Sequence, residues 1–242
     1  MLAGASASLP SQCEVCRAWD AGLVCRGCRD RHASPRPRCL RCGLATGTAA
    51  GSCGACQGDP PPFLRTVCAF DYAFPWDRLI ADFKFRGRVD LATPLADLLD
   101  AAIERVAAAS PQRDSADQGG GGPSVVVPVP LAPARLVQRG FNQAWELARR
   151  VARRRRLAAE PEALRRVLET TAQATLDSAE RRRNLRNAFA PAPHATLRGL
   201  DVALVDDVMT TGATSREAAA ALLRGGARSV HLWVLARTPA PA

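Results

Sequence analysis

From residue 66 to residue 237, short apolar runs alternate with stripes of apolar residues at helical spacing. Residues 66–72 (Thr-Val-Cys-Ala-Phe-Asp-Tyr), 125–129 (Val-Val-Val-Pro-Val), 164–168, 201–207 and 229–235 read as strands. The run at 125–129 has the character of a buried strand ending at a proline-marked turn. Residues 76–85 and 91–108 carry apolar side chains at helical spacing, in the second case at Leu91, Leu95, Leu98, Leu99, Ala102, Ile103 and Val106. Helices are also predicted over 141–155, 178–186 and 215–224. The second opens on Ser178 as N-cap with Glu180 in its first turn, and the third is closed by Gly225 and Gly226. Residues 58–62 (Gly-Asp-Pro-Pro-Pro) read as a linker, and 110–123, with four glycines at 119–122, as a flexible loop. This alternation predicts an open, mostly parallel α/β sheet, whose ligands bind at the carboxyl ends of the strands.

The first 56 residues break the pattern, because they hold too few apolar side chains for a core of their own. They hold instead eight of the nine cysteines, as four CxxC pairs: Cys13/Cys16, Cys25/Cys28, Cys39/Cys42 and Cys53/Cys56. A CxxC turn converges two thiolates on one ion, and two turns complete a tetrahedral shell, so eight ligands predict two structural zinc ions. Metal would then supply most of the stability of this segment. A disulfide framework needs an oxidising compartment, yet residues 1–12 carry no basic side chain and no apolar stretch of a secretory signal. A thioredoxin-like redox site uses one pair on a βαβ unit, not four in tandem. The spacing admits both sequential pairing (Cys13, Cys16, Cys25, Cys28, then Cys39, Cys42, Cys53, Cys56) and an interleaved arrangement. Gly27, Gly43 and Gly54 stand where a knuckle needs positive φ. Cys68, within an apolar run, reads as a buried free thiol.

Residues 202–218 carry the second chemical signal: Val-Ala-Leu-Val-Asp-Asp-Val-Met-Thr-Thr-Gly-Ala-Thr-Ser-Arg-Glu-Ala. An apolar strand delivers Asp206 and Asp207 to its end, a loop of small hydroxyl residues follows, and a helix begins. Free N–H groups at a helix N-terminus bind phosphate, and the macrodipole favours negative charge there. Thr210, Thr211 and Thr214 add hydroxyl donors, and Gly212 and Ala213 keep the backbone approachable. The two carboxylates suit vicinal ribose hydroxyls, and with a ligand they suit a hard cation such as Mg²⁺. Neither GxxxxGK[ST] nor GxGxxG is present. An ordinary strand–turn–helix accounts for one Asp and one Thr, not for two acids followed by TTGAT.

This segment resembles the 5-phosphoribosyl-1-diphosphate (PRPP) motif of type I phosphoribosyltransferases, and the chain over residues 13–237 resembles the ComF family, which includes competence proteins of DNA uptake. The resemblance rests on the tandem CxxC module, on residues 83–87 (Phe-Lys-Phe-Arg-Gly), 127–131 (Val-Pro-Val-Pro-Leu) and 139–143 (Arg-Gly-Phe-Asn-Gln). It rests further on 173–176 (Gln-Ala-Thr-Leu), on Glu180, Arg181 and Asn184, and on 206–214. It implies a Rossmann-like parallel sheet over 63–237, a four-pair zinc-ribbon module over 13–58, a disordered N-terminus over 1–12 and a tail over 238–242. It implies that Asp206 and Asp207 hold the ribose hydroxyls, that Thr210, Thr211, Gly212, Ala213 and Thr214 cradle the 5-phosphate, and that Arg139 and Asn142 attend the diphosphate. Gln173 to Arg181 would form a mobile loop over the site.

Charge adds a second ligand class. The formal net charge is +10, and two four-thiolate zinc sites lower it to about +6. Residues 135–187 hold fourteen Arg against six acidic residues, which reads as a solvated helix face or an anion-binding surface for phosphate or nucleic acid. Trp19 and Phe63 are the aromatic platforms near the cysteine module, or else packing residues. Three readings follow: a phosphoribosyltransferase, a single-stranded-DNA-binding competence factor that retains the PRPP fold, and a PRPP-sensing regulator without turnover. The cysteine module would contact DNA or a partner protein, or brace the core. No stretch is long enough to span a bilayer, and a cytoplasmic location is the expectation.

Overall fold

The computed structural model describes residues 10–47, 51–109, 122–168 and 187–240. The expected helix at 178–186 and the site residues Gln173, Glu180, Arg181 and Asn184 lie outside the described residues, as does most of the loop at 110–123.

Five strands form one parallel sheet, β3 (Arg65–Asp71), β4 (Val125–Pro128), β5 (Ala158–Ala159), β8 (Asp201–Met209) and β9 (Ser229–Arg237), in the order β3-β9-β8-β4-β5. The expected strand at 164–168 is shorter and lies elsewhere: β6 (Leu164–Arg166) pairs antiparallel with β7 (Phe189–Pro191) as a separate ribbon. The central strands are apolar at successive positions because both faces are covered. Ala203 and Val205 of β8 join Trp233 and Leu235 of β9 on the face packed by α3 (Trp76–Phe85), α4 (Ala92–Ala108) and α6 (Gln143–Arg155). Val202, Leu204, Leu232 and Val234 face the other side, against α7 (Ala213–Arg224) and the β6–β7 ribbon. The period of two along each strand thus sorts one apolar run into two cores.

Helix starts depart from the sequence reading for local reasons. The expected helix at 141–155 begins at Gln143, because Asn142 takes extended backbone and caps it. Residues 89–91 form a short 3₁₀ turn before α4. The helix expected from 215 begins at Ala213, directly after Gly212 in the left-handed region at φ 79°.

The cysteine segment folds as two zinc-ribbon-like modules. The first contains the β1 (Ser11–Gln12) and β2 (Trp19–Asp20) hairpin and α1 (Arg26–His32), and the second contains α2 (Gly54–Gly58). Both rest on the sheet domain. Cys13, Val24 and Cys28 are buried in the same cluster as Trp76, Leu79 and Phe83, and the Trp76 indole donates to the His32 carbonyl at 2.7 Å. The second module covers the edge strand β3. The Thr66 amide donates to the Leu40 carbonyl at 2.8 Å, and its hydroxyl to the Arg41 carbonyl at 2.6 Å. An open strand edge is thereby occupied within the chain. Gly43, at φ 69°, permits the approach, since a Cβ there would stand 2.9 Å from Thr66 Cγ2.

Candidate functional site

The eight cysteines gather into two groups, Cys13/Cys16/Cys25/Cys28 and Cys39/Cys42/Cys53/Cys56, with the sulfurs of each group within 4.8 Å of one another. The pairing is sequential. Both groups use one local design. The residue after the second cysteine, Arg17 or Gly43, has positive φ and donates its amide to the carbonyl of Cys13 or Cys39, at 2.8 and 2.9 Å. The third cysteine, Cys25 or Cys53, is a helix N-cap whose amide donates to the first sulfur, at 3.3 and 3.2 Å. Gly27 and Gly54 sit in the first turns of α1 and α2, not in left-handed turns, so only Gly43 has the backbone role foreseen for the three.

These donors fit zinc. Burial opposes charge on the first cysteine of each group, yet surrounding backbone amides outweigh it and lower Cys13 to about 6 and Cys39 to about 7. Burial and the neighbouring thiols push Cys28 and Cys56 up. Four thiolates without a cation repel one another, and a dication removes that penalty, so each group could hold one zinc ion in a closed shell. Cys68 lies outside both groups; burial pushes its thiol up to about 11, and it donates to the Phe70 carbonyl at 3.1 Å.

The second site lies at the carboxyl end of β8. Asp206 Oδ1 accepts the Asp207 amide at 2.9 Å, and Asp207 Oδ1 forms an ion pair with Lys84 Nζ at 2.9 Å. Burial pushes the Asp206 carboxyl up to about 7; the Asp207 charge adds to this and Lys84 opposes it. Thr210 and Thr211 are exposed, Ala213 and Ser215 are buried, and Thr214 is half-buried at the start of α7. Gly212 is required twice over: its φ is 79°, and a Cβ would overlap the Met209 methyl. The turn is pinned from behind by Arg237, whose Nη1 donates to the carbonyls of Met209, at 3.2 Å, and Thr210.

Arg139 and Asn142 follow β4, the strand that pairs with β8. The Asn142 carboxamide accepts from the amides of Ala144 (2.9 Å) and Trp145 (3.3 Å) and donates to the Val129 carbonyl (3.1 Å). It is therefore a helix cap that ties α6 to the end of β4. Arg139 closes α5 (Pro133–Arg139), stacks its guanidinium 5.0 Å above the Phe85 ring and donates to Gln143 Oε1 at 2.9 Å. Its Nε is buried without a hydrogen-bond partner. Burial pushes its pKa down, and the charge of Asp207 opposes that shift.

No family model matches the chain. It is 36% identical over 234 residues to the DNA utilization protein YhgH of Escherichia coli K12, with 96% of this chain and 99% of the relative aligned. It is 35% identical over 240 residues to the protein of the same name from Salmonella typhi, at 96% and 99% coverage. It is 34% identical over 215 residues to Competence protein F of Haemophilus influenzae, at 88% and 90%. The chain belongs to the ComF family.

In this ComF chain the structure places Asp206, Asp207, Arg139 and residues 210–214 around one end of the sheet. It adds the pairing of Lys84, a residue of the 83–87 segment, with Asp207, a contact the sequence does not display. The available signal was compositional, since Lys84 is the only lysine among 33 Lys and Arg residues. The arginine-rich zone looks different in three dimensions. Arg149 and Arg150 bind Glu146, Arg154 binds Asp97, and Arg155 binds Asp100 and Glu104, so much of the α6 charge is neutralised within α6 and along α4. Phe63 is fully buried and is a packing residue, whereas Trp19 is 70% exposed. Among the described residues no helix is long and apolar enough to cross a membrane.

Proposed function

We propose that the carboxyl end of β8 binds PRPP, and that this ComF protein acts in DNA uptake or use. The observation that carries the reading is the succession of a buried strand, two adjacent carboxylates, a left-handed glycine and the N-terminus of a twelve-residue helix. Amides and hydroxyls of residues 210–214 would take the 5-phosphate, and Asp206 and Asp207 the ribose hydroxyls. Mg²⁺ would come with the diphosphate, and its chemistry there is neutralisation of phosphate charge; Asp206 and Asp207 are the donors that suit it. The fold holds the phosphoribosyl group by position and charge, so any transfer would draw on orientation and on stabilising the leaving diphosphate. The relatives' names supply the biological setting.

Calorimetry with PRPP and Mg²⁺ tests the reading. We expect Asp206→Asn with Asp207→Asn to weaken binding at least ~100-fold, the worth of two or more charge-assisted hydrogen bonds. Unchanged affinity in that variant rejects it. Pyrophosphate release across nucleobase and amine acceptors then separates a transferase from a sensor.

A second reading, single-stranded DNA binding, is favoured by one surface. Phe74 is 61% exposed, with the Arg78 guanidinium 5.5 Å over its ring and His32 edge-on at 6.1 Å. It separates a ≈530 Å³ cleft lined by Arg17, Arg78 and Arg86 from a ≈400 Å³ cleft lined by Arg31, Arg36 and Arg38; Arg17, Arg86, Arg36 and Arg38 are paired there with Glu14, Asp82 and Asp71, and Arg78 is the cation on the ring itself. An exposed ring flanked by cations is the usual platform for an unpaired base. Gel shifts in rising salt test it: binding that weakens with salt and drops in Phe74→Ala supports the surface, and unaltered binding in that variant excludes it.

A further inference from the structure

Lys84 stands out on three independent counts. It is the single lysine of a chain that uses arginine for every other long cationic side chain. Its ammonium is withdrawn from solvent, with its side chain 16% and that of Asp207 11% exposed, in a 2.9 Å ion pair. A pair so buried returns little net stability, because desolvation offsets the attraction, so fold stability is a weak reason for its presence. It also has company. Arg139, from a segment 55 residues further along the chain, lies on the Phe85 ring next to Lys84, feels the charge of Asp207 and keeps a buried Nε without a partner.

Ribose hydroxyls explain the two carboxylates, and the α7 N-terminus explains the 5-phosphate. Neither explains the ammonium paired with Asp207 and the guanidinium that also feels its charge. A doubly charged diphosphate does. A lysine suits this better than an arginine, since its ammonium is a point charge on a flexible stem that releases one oxygen partner and takes another. An arginine at 84 would grip the Asp207 carboxylate with two parallel bonds and hold it.

We infer that Lys84 is a diphosphate-binding residue of this site, resting on Asp207 in the free protein and moving to the ligand's diphosphate on binding. The inference rests on the PRPP reading and extends it. It divides the site in two: residues 210–214 read the 5-phosphate end, and Lys84 with Arg139 reads the diphosphate end.

Full-length, zinc-loaded protein is titrated in Mg²⁺ with PRPP, inorganic pyrophosphate and ribose 5-phosphate, as wild type, Lys84→Met and Lys84→Arg. Lys84→Met is expected to lose about 10- to 100-fold in affinity for PRPP and pyrophosphate while ribose 5-phosphate changes less than about 3-fold. Lys84→Arg is expected not to restore the loss. A wild type that binds none of the three overturns the PRPP reading and this inference with it. A wild type that binds PRPP, with Lys84→Met equal to it or weakened equally for all three ligands, overturns the inference alone. Should Lys84→Met fold poorly, Lys84→Gln keeps a hydrogen-bond donor for the Asp207 carboxylate while removing the charge, and the same pyrophosphate titration decides. A direct measurement needs no variant. Because the chain has one lysine, [ε-¹³C]lysine labelling gives one side-chain resonance. That resonance should move when pyrophosphate is added, and a signal that stays in place under saturating pyrophosphate refutes the contact.

Discussion

The two cysteine modules share one local geometry and dock on different parts of the proposed ligand site. The first packs on α3, the helix that carries Lys84. Its Glu14 pairs with Arg88, just beyond α3, at 2.7 Å, and its Cys13 and Cys28 sit in the core cluster with Phe83. The second reaches the turn at residues 209–214. Arg237 Nε donates to the Cys42 carbonyl at 3.1 Å while Nη1 holds the carbonyls of Met209 and Thr210. Arg216, in the first turn of α7, donates to the Asp59 carbonyl at 2.7 Å, immediately after α2. A repeated motif thus fixes a repeated shape, but its consequence is set by its neighbours. The first module backs the Lys84 end of the proposed site, and the second backs the turn at residues 210–214.

The largest effects come from breaking one module at a time. Cys39→Ser with Cys42→Ser should lose one of two zinc equivalents, measured by metal analysis, together with the fold of that module. A structural zinc site is worth on the order of 10 kcal/mol to its own segment. With β3 uncovered, the melting temperature should fall by roughly 10 °C or more, about 3 kcal/mol for a chain of this size. Affinity for ribose 5-phosphate and PRPP should fall together. Cys13→Ser with Cys16→Ser should also lose one zinc, yet spare ribose 5-phosphate and weaken PRPP. If both double variants lower both ligands in parallel, the division of labour is wrong and the modules merely hold the fold.

A smaller change sharpens the same comparison without touching metal. Arg237→Met removes the link between the Cys42 carbonyl and the turn at residues 209–214. Two zinc ions should remain bound, stability should drop by about 1–2 kcal/mol from buried carbonyls left unsatisfied, and ribose 5-phosphate affinity should fall several-fold. Gly212→Ala should act on the turn from inside. A left-handed alanine costs about 1–2 kcal/mol, and the overlap with Met209 adds to it, as a chemical melt would read.

How much of this was legible in sequence follows from distance along the chain. The metal ligands of each group fall within one short segment, so spacing displayed them; only their pairing waited for three dimensions. Asp206 to Thr214 is likewise one strand and one turn, and its local shape could be read in order. The sheet was legible because strands buried on both faces are apolar at every position. Lys84 was not, because its partner Asp207 is brought to it by the packing of α3 on the sheet, which no local pattern records. The ion pairs of the arginine-rich zone were hidden for the same reason: Arg154 and Arg155 meet Asp97, Asp100 and Glu104 only when α4 and α6 lie side by side. Asn142, which the resemblance assigns to the diphosphate, has the geometry of a helix cap, a role that shows only once α6 is formed.

The finest test lies on β8 itself, between the two ends of the site. Asp201, at the start of the strand, is held below the usual carboxylate range by Arg228 and, against burial, by the Ser229 hydroxyl. Asp206, near its end, is pushed up to about 7 by burial, with Asp207 adding to the shift. The signs are opposite. A depressed carboxylate contributes stability that is present above its unfolded pKa of about 4 and is lost as pH falls through the folded value. A raised carboxylate penalises the fold progressively as pH rises from about 4 to about 7, and the penalty is full above that. Asp201→Asn should therefore destabilise at pH 7 and lose its effect in acid. Asp206→Asn should raise the melting temperature by about 2–4 °C at pH 8, about 1 kcal/mol, and change it little near pH 4. A variant more stable than the wild type that no longer binds PRPP would mean that Asp206 is kept charged against the interest of the fold, as binding groups often are. A melting temperature unchanged at pH 8 would mean that Asp206 is an ordinary solvated carboxylate and that burial at this end of β8 does no electrostatic work.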